Sequence, residues 1–188
     1  MKFIISAIIA TLATFAAPSL AAADPDCNKT RWPIIDTTVK FGTPINDALA
    51  AANKKYGKNA LVSKVGDNVL IAFKSGHQDM FDNIAYATKG GIVTRLVFSY
   101  SNKFQRTFGG VSATLIAISK RLIAKVGEKA DKAGVQDNGE FLARWNPDNG
   151  AAMEVWGKDP DSAVVRFICE SLETSVASNL VNQTNFGF

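Results

Sequence analysis

Histidine occurs once in this chain, at His77, and cysteine twice, at Cys27 and Cys169. Zinc is ordinarily held by three or four His, Cys or acidic ligands, so no metal site of that kind is expected. A Cys–His nucleophile would need Cys169 reduced and beside His77, whereas His77 reads as a residue of the Ser75–Gln78 loop. The serine elbow G-x-S-x-G is missing, because Gly110-Val111-Ser112-Ala113-Thr114 lacks its second glycine. Neither phosphate-cradling motif, G-x-x-x-x-G-K-[ST] or G-x-G-x-x-G, occurs. The chain also lacks a clustered basic stripe, the usual mark of nucleic-acid binding. Lys54-Lys55 and Lys120-Arg121 read instead as solvated helix faces.

Long apolar runs are confined to the N-terminus. Lys2 is the only charge before Asp24, and Phe3 to Ala17 is broken only by Ser6, Thr11 and Thr14. Pro18 and the small residues Ser19, Ala21, Ala22 and Ala23 follow. This is the three-part layout of a secretory signal, with Ala21-Ala22-Ala23 as the peptidase site and residues 1–23 removed. Cleavage after Ala21 is the close alternative. The run is shorter than the roughly 20 residues a membrane helix needs, so no span is expected. Cys27 follows Asp24-Pro25-Asp26, which does not fit a lipoprotein signal, so no lipid anchor is expected either.

The expected mature chain, residues 24–188, is one domain. With Lys2 removed, 20 basic residues stand against 17 acidic ones, a mild net charge of +3. A periplasmic or secreted location permits the two cysteines to pair. Such a bridge would tie the mature N-terminus to the last strand. Two Asn-x-Thr triplets, Asn28-Lys29-Thr30 and Asn182-Gln183-Thr184, matter only if the source glycosylates.

Local signals then alternate between helix and strand. Thr43 is a good N-cap, Pro44 sits at the first helical position and Gly57 closes the end. Ile45, Ala48, Leu49, Ala52 and Tyr56 share one face at helical spacing. A second helix is expected from about Ser112 to Val126, ending at Gly127. Strands follow the first helix at Val69–Phe73, Ile84–Thr88 and Ile92–Tyr100, with Lys89-Gly90-Gly91 as a hairpin turn. They follow the second at Glu140–Trp145, Ala151–Trp156 and Ala163–Cys169.

An offset of 71 overlays the halves. It puts Leu70-Ile71-Ala72 on Phe141-Leu142-Ala143, and Arg95-Leu96-Val97 on Arg166-Phe167-Ile168. The expected fold is therefore α+β: two repeats, about 41–105 and 110–175, each a helix followed by a three-stranded antiparallel meander. The helices would pack on one sheet face. This tandem layout behind a signal resembles the β-lactamase-inhibitor-protein-like fold, which small bacterial envelope lipoproteins share. The resemblance rests on element order, on residues 43–57 as the opening helix and on Gly90-Gly91-Ile92-Val93-Thr94-Arg95-Leu96 as hairpin and third strand. It implies a fold and a compartment. The chain departs from that group in lacking an acylated cysteine and in having a single cysteine pair.

Period-2 alternation assigns Thr94, Leu96, Phe98 and Tyr100 to one face, and Val93, Arg95, Val97 and Ser99 to the other. In the second half Phe167 joins the first face, and Val164, Arg166, Ile168 and Glu170 the second. The face with Arg95 and Arg166 is the candidate binding surface, with Val97 and Ile168 beside them and Trp156, Tyr86 and Trp145 as possible additions. The carboxylate pairs Asp79/Asp82 and Glu170/Glu173 read as solvated. The leading expectation is an exported, non-catalytic binding module without a cofactor, an inhibitor or envelope accessory whose partner is another envelope or extracellular protein. The alternatives are a small periplasmic hydrolase using scattered carboxylates and a purely structural envelope component.

Overall fold

The computed structural model describes residues 26–77, 80–158 and 162–175, with the side chains of 75–77 and 147 outside that description. The expected signal segment, the start at Asp24 and Asp79 fall outside these residues, as does the side chain of His77. Among the described residues no helix is long and apolar enough to cross a membrane.

A short 3-10 turn, Asp26–Lys29, opens the chain. Helix α1 (Ile45–Tyr56) is followed by β1 (Ala60–Val65), β2 (Asn68–His77), β3 (Phe81–Lys89) and β4 (Ile92–Tyr100). Helices α2 (Asn102–Thr107) and α3 (Val111–Val126) come next, then β5 (Lys132–Val135), β6 (Phe141–Asp148), β7 (Ala151–Lys158) and β8 (Ser162–Cys169). Residues 170–175 form a last helical turn and a half, α4. The fold is α+β, with one antiparallel eight-stranded sheet in the order β1-β2-β3-β4-β8-β7-β6-β5. Each half is a meander, and the two meet where β4 pairs with β8.

Each half thus has four strands rather than the expected three. The additions, β1 and β5, are the two edges of the sheet. Edge strands pair on one side only and can be short and partly polar, so their pattern is weak. In β1 Leu61 and Val65 are exposed, and β5 is only Lys-Ala-Gly-Val. Helix α2 is also additional. Its sequence signal is local: the Ser101 hydroxyl accepts the Phe104 N–H at 3.1 Å, an N-cap.

Helix α1 begins after Pro44, and Thr43 does not cap it. The Thr43 carbonyl accepts from the Val93 N–H and the Gly42 N–H donates to the Val93 carbonyl. That extended pairing with β4 commits Thr43 before the helix starts. Helix α3 ends as expected at Gly127, whose φ of 79° is left-handed. The Gly90-Gly91 hairpin turn likewise uses two positive φ values, 59° and 78°.

The core lies between the sheet and the helices. Val69, Ile71, Leu96, Phe98, Phe167 and Trp145 point to it, with Leu115 of α3 and Ala48 and Ala52 of α1. At Gly157 α3 packs close to the sheet: an added Cβ would collide with the Ser162 carbonyl and touch Leu115. The N-terminal segment closes one side of this core. Cys27 and Cys169, both fully buried, are joined by a disulfide, as expected. Trp32 donates its indole N–H to the Ala151 carbonyl at 2.7 Å.

The offset of 71 survives in part. It keeps the sidedness of Arg95, Leu96 and Val97 against Arg166, Phe167 and Ile168, but not of Val93 against Val164, because Val93 faces the core. In β2 and β6 it fails on sidedness. Leu70 pairs with Ala85 on the open face, whereas Phe141 pairs with Gly157 on the core face. The slip lies in the hairpin registers: the offset would pair Phe141 with Trp156, the counterpart of Ala85, yet Phe141 pairs with Gly157. One residue of slip in a strand reverses every side chain.

Candidate functional site

The sheet face opposite the helices carries a depression of about 410 Å³ lined by Arg95, Arg144, Arg166, Glu154, Glu170 and Glu173. Strand register assembles it. On the β4–β8 pair, Arg95 lies opposite Ile168 and Val97 opposite Arg166. Arg166 in turn lies opposite Glu154 of β7, which lies opposite Arg144 of β6. Glu170 and Glu173 come from α4, the turn that follows β8.

Each arginine has a different environment. Arg95 makes a two-point contact with Glu173: Nε donates to Oε1 at 2.6 Å and Nη2 to Oε2 at 2.5 Å. The Thr94 hydroxyl adds 2.9 Å to the same carboxylate, and Lys89 Nζ donates to the Glu173 carbonyl at 3.0 Å. The Arg95 hydrogen bonds hold the Glu173 carboxyl below its usual range. Arg144 bridges two carboxylates, pairing with Glu154 and with Glu170. Arg166 is held most loosely, with Nη1 3.8 Å from Glu154. Its guanidinium lies over the Trp156 ring, 4.6 Å from the centroid. Burial lowers its pKa, and the Glu154 charge opposes that shift. The Trp156 indole N–H donates to Glu140 at 3.0 Å and, with Asn138, holds that carboxyl below the usual range.

Of the candidate residues, the structure brings Arg95, Arg166, Val97, Ile168 and Trp156 together on this face. Tyr86 is not among them. It is fully buried on the helix side, where its hydroxyl donates to Asp36 at 2.5 Å. Trp145 is buried there too, its indole N–H reaching the Glu128 carbonyl at 3.2 Å. Two further expectations change. Val93 does not flank Arg95, because Thr94 is an extra residue between the Ala87–Arg95 and Thr88–Val93 pairs. That bulge turns Val93 into the core. Ile168 and Val164 are on the open face but only 9% and 5% exposed, so they form a covered floor.

Sequence reading missed Arg144 and Glu154 and took Glu170 and Glu173 for solvated groups. Glu173 is instead 17% exposed and tied to Arg95. The available signal was alternation in β6 and β7, which puts Arg144 and Glu154 on the face of Trp156.

A second polar cluster, on the core side, is centred on Asp36. Its carboxylate accepts from Tyr56 at 2.8 Å, Tyr86 at 2.5 Å, Lys55 at 2.9 Å and both the backbone and hydroxyl of Thr38. Burial alone would raise its pKa, but these hydrogen bonds outweigh that and bring it to about 2. The cluster ties the N-terminal segment to α1 and β3. Asn28 is similarly structural, exchanging two 3.0 Å hydrogen bonds with the Phe41 backbone.

Among the described residues no group of three or more His, Cys, Asp or Glu is placed to hold a metal ion. Comparison with protein-family models, with curated proteins and with solved structures finds no match for this chain.

Proposed function

We propose that this protein is an exported, non-catalytic binding module that engages another envelope or extracellular protein through the open face of its sheet. The observation that carries the reading is Arg166. It is stacked on Trp156 and kept at 3.8 Å from its nearest acid, while Arg95 and Arg144 are each tied by closer pairs. Its planar donor fork is therefore free to take a carboxylate from a partner. Arginine and tryptophan are the residue types that most often dominate interface energies. Half-buried Val97, Leu142 and Ala85 share the face and lose water on contact. The buried disulfide fits an oxidising compartment, and the tandem layout fits a duplicated unit that presents one continuous sheet.

The three converging glutamates are the feature that a small hydrolase would use. A general acid must hold a proton near the working pH. Arg95 works the other way on Glu173, favouring the ionised form. A salt-bridged surface poised for a charged partner accounts for the same residues.

The test places a photo-crosslinking residue at Val97 and, separately, at exposed Lys120 on α3. The reading expects one partner to be trapped from Val97 and not from Lys120, with Arg166→Glu removing the adduct while the protein stays folded. Equal trapping at both positions, or an adduct indifferent to Arg166→Glu, overturns it.

A further inference from the structure

On the other side of the sheet an apolar groove of about 740 Å³ runs between residues 33–35, the end of β4, α2 and α3. Its wall is a run of aromatic rings. Phe81 and Tyr100 are 4.8 Å apart between centroids, Tyr100 stacks on Phe104 at 5.1 Å and Phe104 meets Phe108 at 5.1 Å. Ile118 and Leu122 of α3 face them. This volume lies within the range of small-molecule sites.

The charged groups at the groove are all of one sign. Arg121 and Lys125, one helical turn apart on α3, line it, and no Asp or Glu does. Both are exposed, and neither has an acidic partner among the described residues. Arg121 lies over the Phe108 ring at 5.9 Å, and its charge acts on the Tyr100 phenol. Burial pushes the Tyr100 hydroxyl up to about 12, so it remains a neutral donor, and it makes no hydrogen bond to a described residue. An apolar channel lined by a guanidinium, an ammonium and a spare phenol complements an alkyl chain ending in an anionic oxygen group, of which a carboxylate is the simplest.

We propose that this groove binds a single-chain amphiphile with a carboxylate head, the chain lying along Phe81, Phe104, Ile118 and Leu122 and the head meeting Arg121 and Tyr100. The site is separate from the open sheet face, and neither proposal depends on the other. Arg121 supplies charge-assisted hydrogen bonds to the head. Lys125 adds a second positive charge, and the aromatic wall excludes water from the chain.

Calorimetric titration of the purified, oxidised protein with dodecanoate and dodecyltrimethylammonium, each below its micelle concentration, and with dodecanol below its solubility limit, tests this. Saturable binding of one dodecanoate per chain is expected, with dodecanol about tenfold weaker or more and no binding of the cation. Arg121→Gln should weaken dodecanoate by about tenfold and leave dodecanol unchanged. Ala117→Phe, which fills the groove from α3, should remove both. Circular dichroism of each variant establishes that it is folded. Equal affinity for dodecanoate and dodecanol overturns the proposal, as does unchanged binding in Ala117→Phe. A dimer in sedimentation that Ala117→Phe converts to monomer, with no dodecanoate bound, shows a second copy in the groove and overturns it too.

Discussion

Leu96 lies directly across the β4–β8 pair from Phe167, the residue 71 positions further along the chain. The flanking pairs exchange under the same offset, Arg95 facing Ile168 and Val97 facing Arg166. The centre of the sheet therefore has a local twofold relation, with this apolar pair on its axis. Both side chains are at most 1% exposed, and Phe167 meets Phe98 edge to face at 6.0 Å between centroids. Phe167→Ala is expected to cost about 3–5 kcal/mol, the range for a deleted core ring. Urea unfolding measures it, and a loss under about 1 kcal/mol would show that the halves are not held through this pair.

The Cys27–Cys169 bridge closes a loop with a sequence separation of 142. Replacing both cysteines with Ser is expected to lower stability by about 2–4 kcal/mol. In native protein without reductant neither thiol should react with an alkylating agent, and mass spectra of digests should show the linked peptides. Full alkylation of freshly purified protein contradicts the pairing.

Asp36 gives the stability a defined acid dependence. Its folded pKa, about 2, lies below the ordinary 3.8. A depressed carboxyl contributes stability that is fully present above the ordinary value and is lost as pH falls through the folded one. The shift corresponds to about 2 kcal/mol. Asp36→Asn should therefore be less stable than the parent at neutral pH, and the gap should close as pH falls from about 4 towards 2. A gap that stays constant across that window would show that the carboxylate charge is not what Tyr56, Tyr86 and Lys55 stabilise.

Arg95 and Glu173 tie α4 to the sheet, but the arginine is 44% exposed. Solvent screening limits such a pair to about 1 kcal/mol or less. A double-mutant cycle of Arg95→Gln and Glu173→Gln should give a coupling of that size, diminished by salt. A coupling of several kcal/mol would mark the pair as the main anchor of α4.

At Gly157 the missing side chain is a packing requirement. Gly157→Ala places a methyl against the Ser162 carbonyl and Leu115, so β7 or α3 must shift. A cost of about 1–3 kcal/mol is expected, as for other overpacked core positions. An unchanged melting temperature would mean that α3 does not pack against β7 at this point.

The sequence by itself determined the elements whose signals are local. Helix spacing from Ile45 to Tyr56, β-branched runs such as Ile92–Tyr100 and paired turn glycines depend on a few neighbours, and they located both long helices and six of the strands. The pairing of Cys27 with Cys169 followed from there being only two cysteines. The sidedness of Arg95, Val97, Arg166 and Ile168 was also legible, because those stretches of β4 and β8 keep a strict period of 2. Tertiary structure alone decided the rest. β1 and β5 are strands because a neighbour offers an edge, and Val93 is core because a bulge at Thr94 reverses the alternation. Alternation in β3 and β6 sets Tyr86 and Trp145 on the face opposite Ala85 and Arg144, but which of those faces meets the helices is decided by packing. The depression likewise exists only through long-range pairing. Its charges come from β4, β6, β7, β8 and α4, and their convergence depends on which strands lie side by side, a property of the whole sheet that no local window of residues contains.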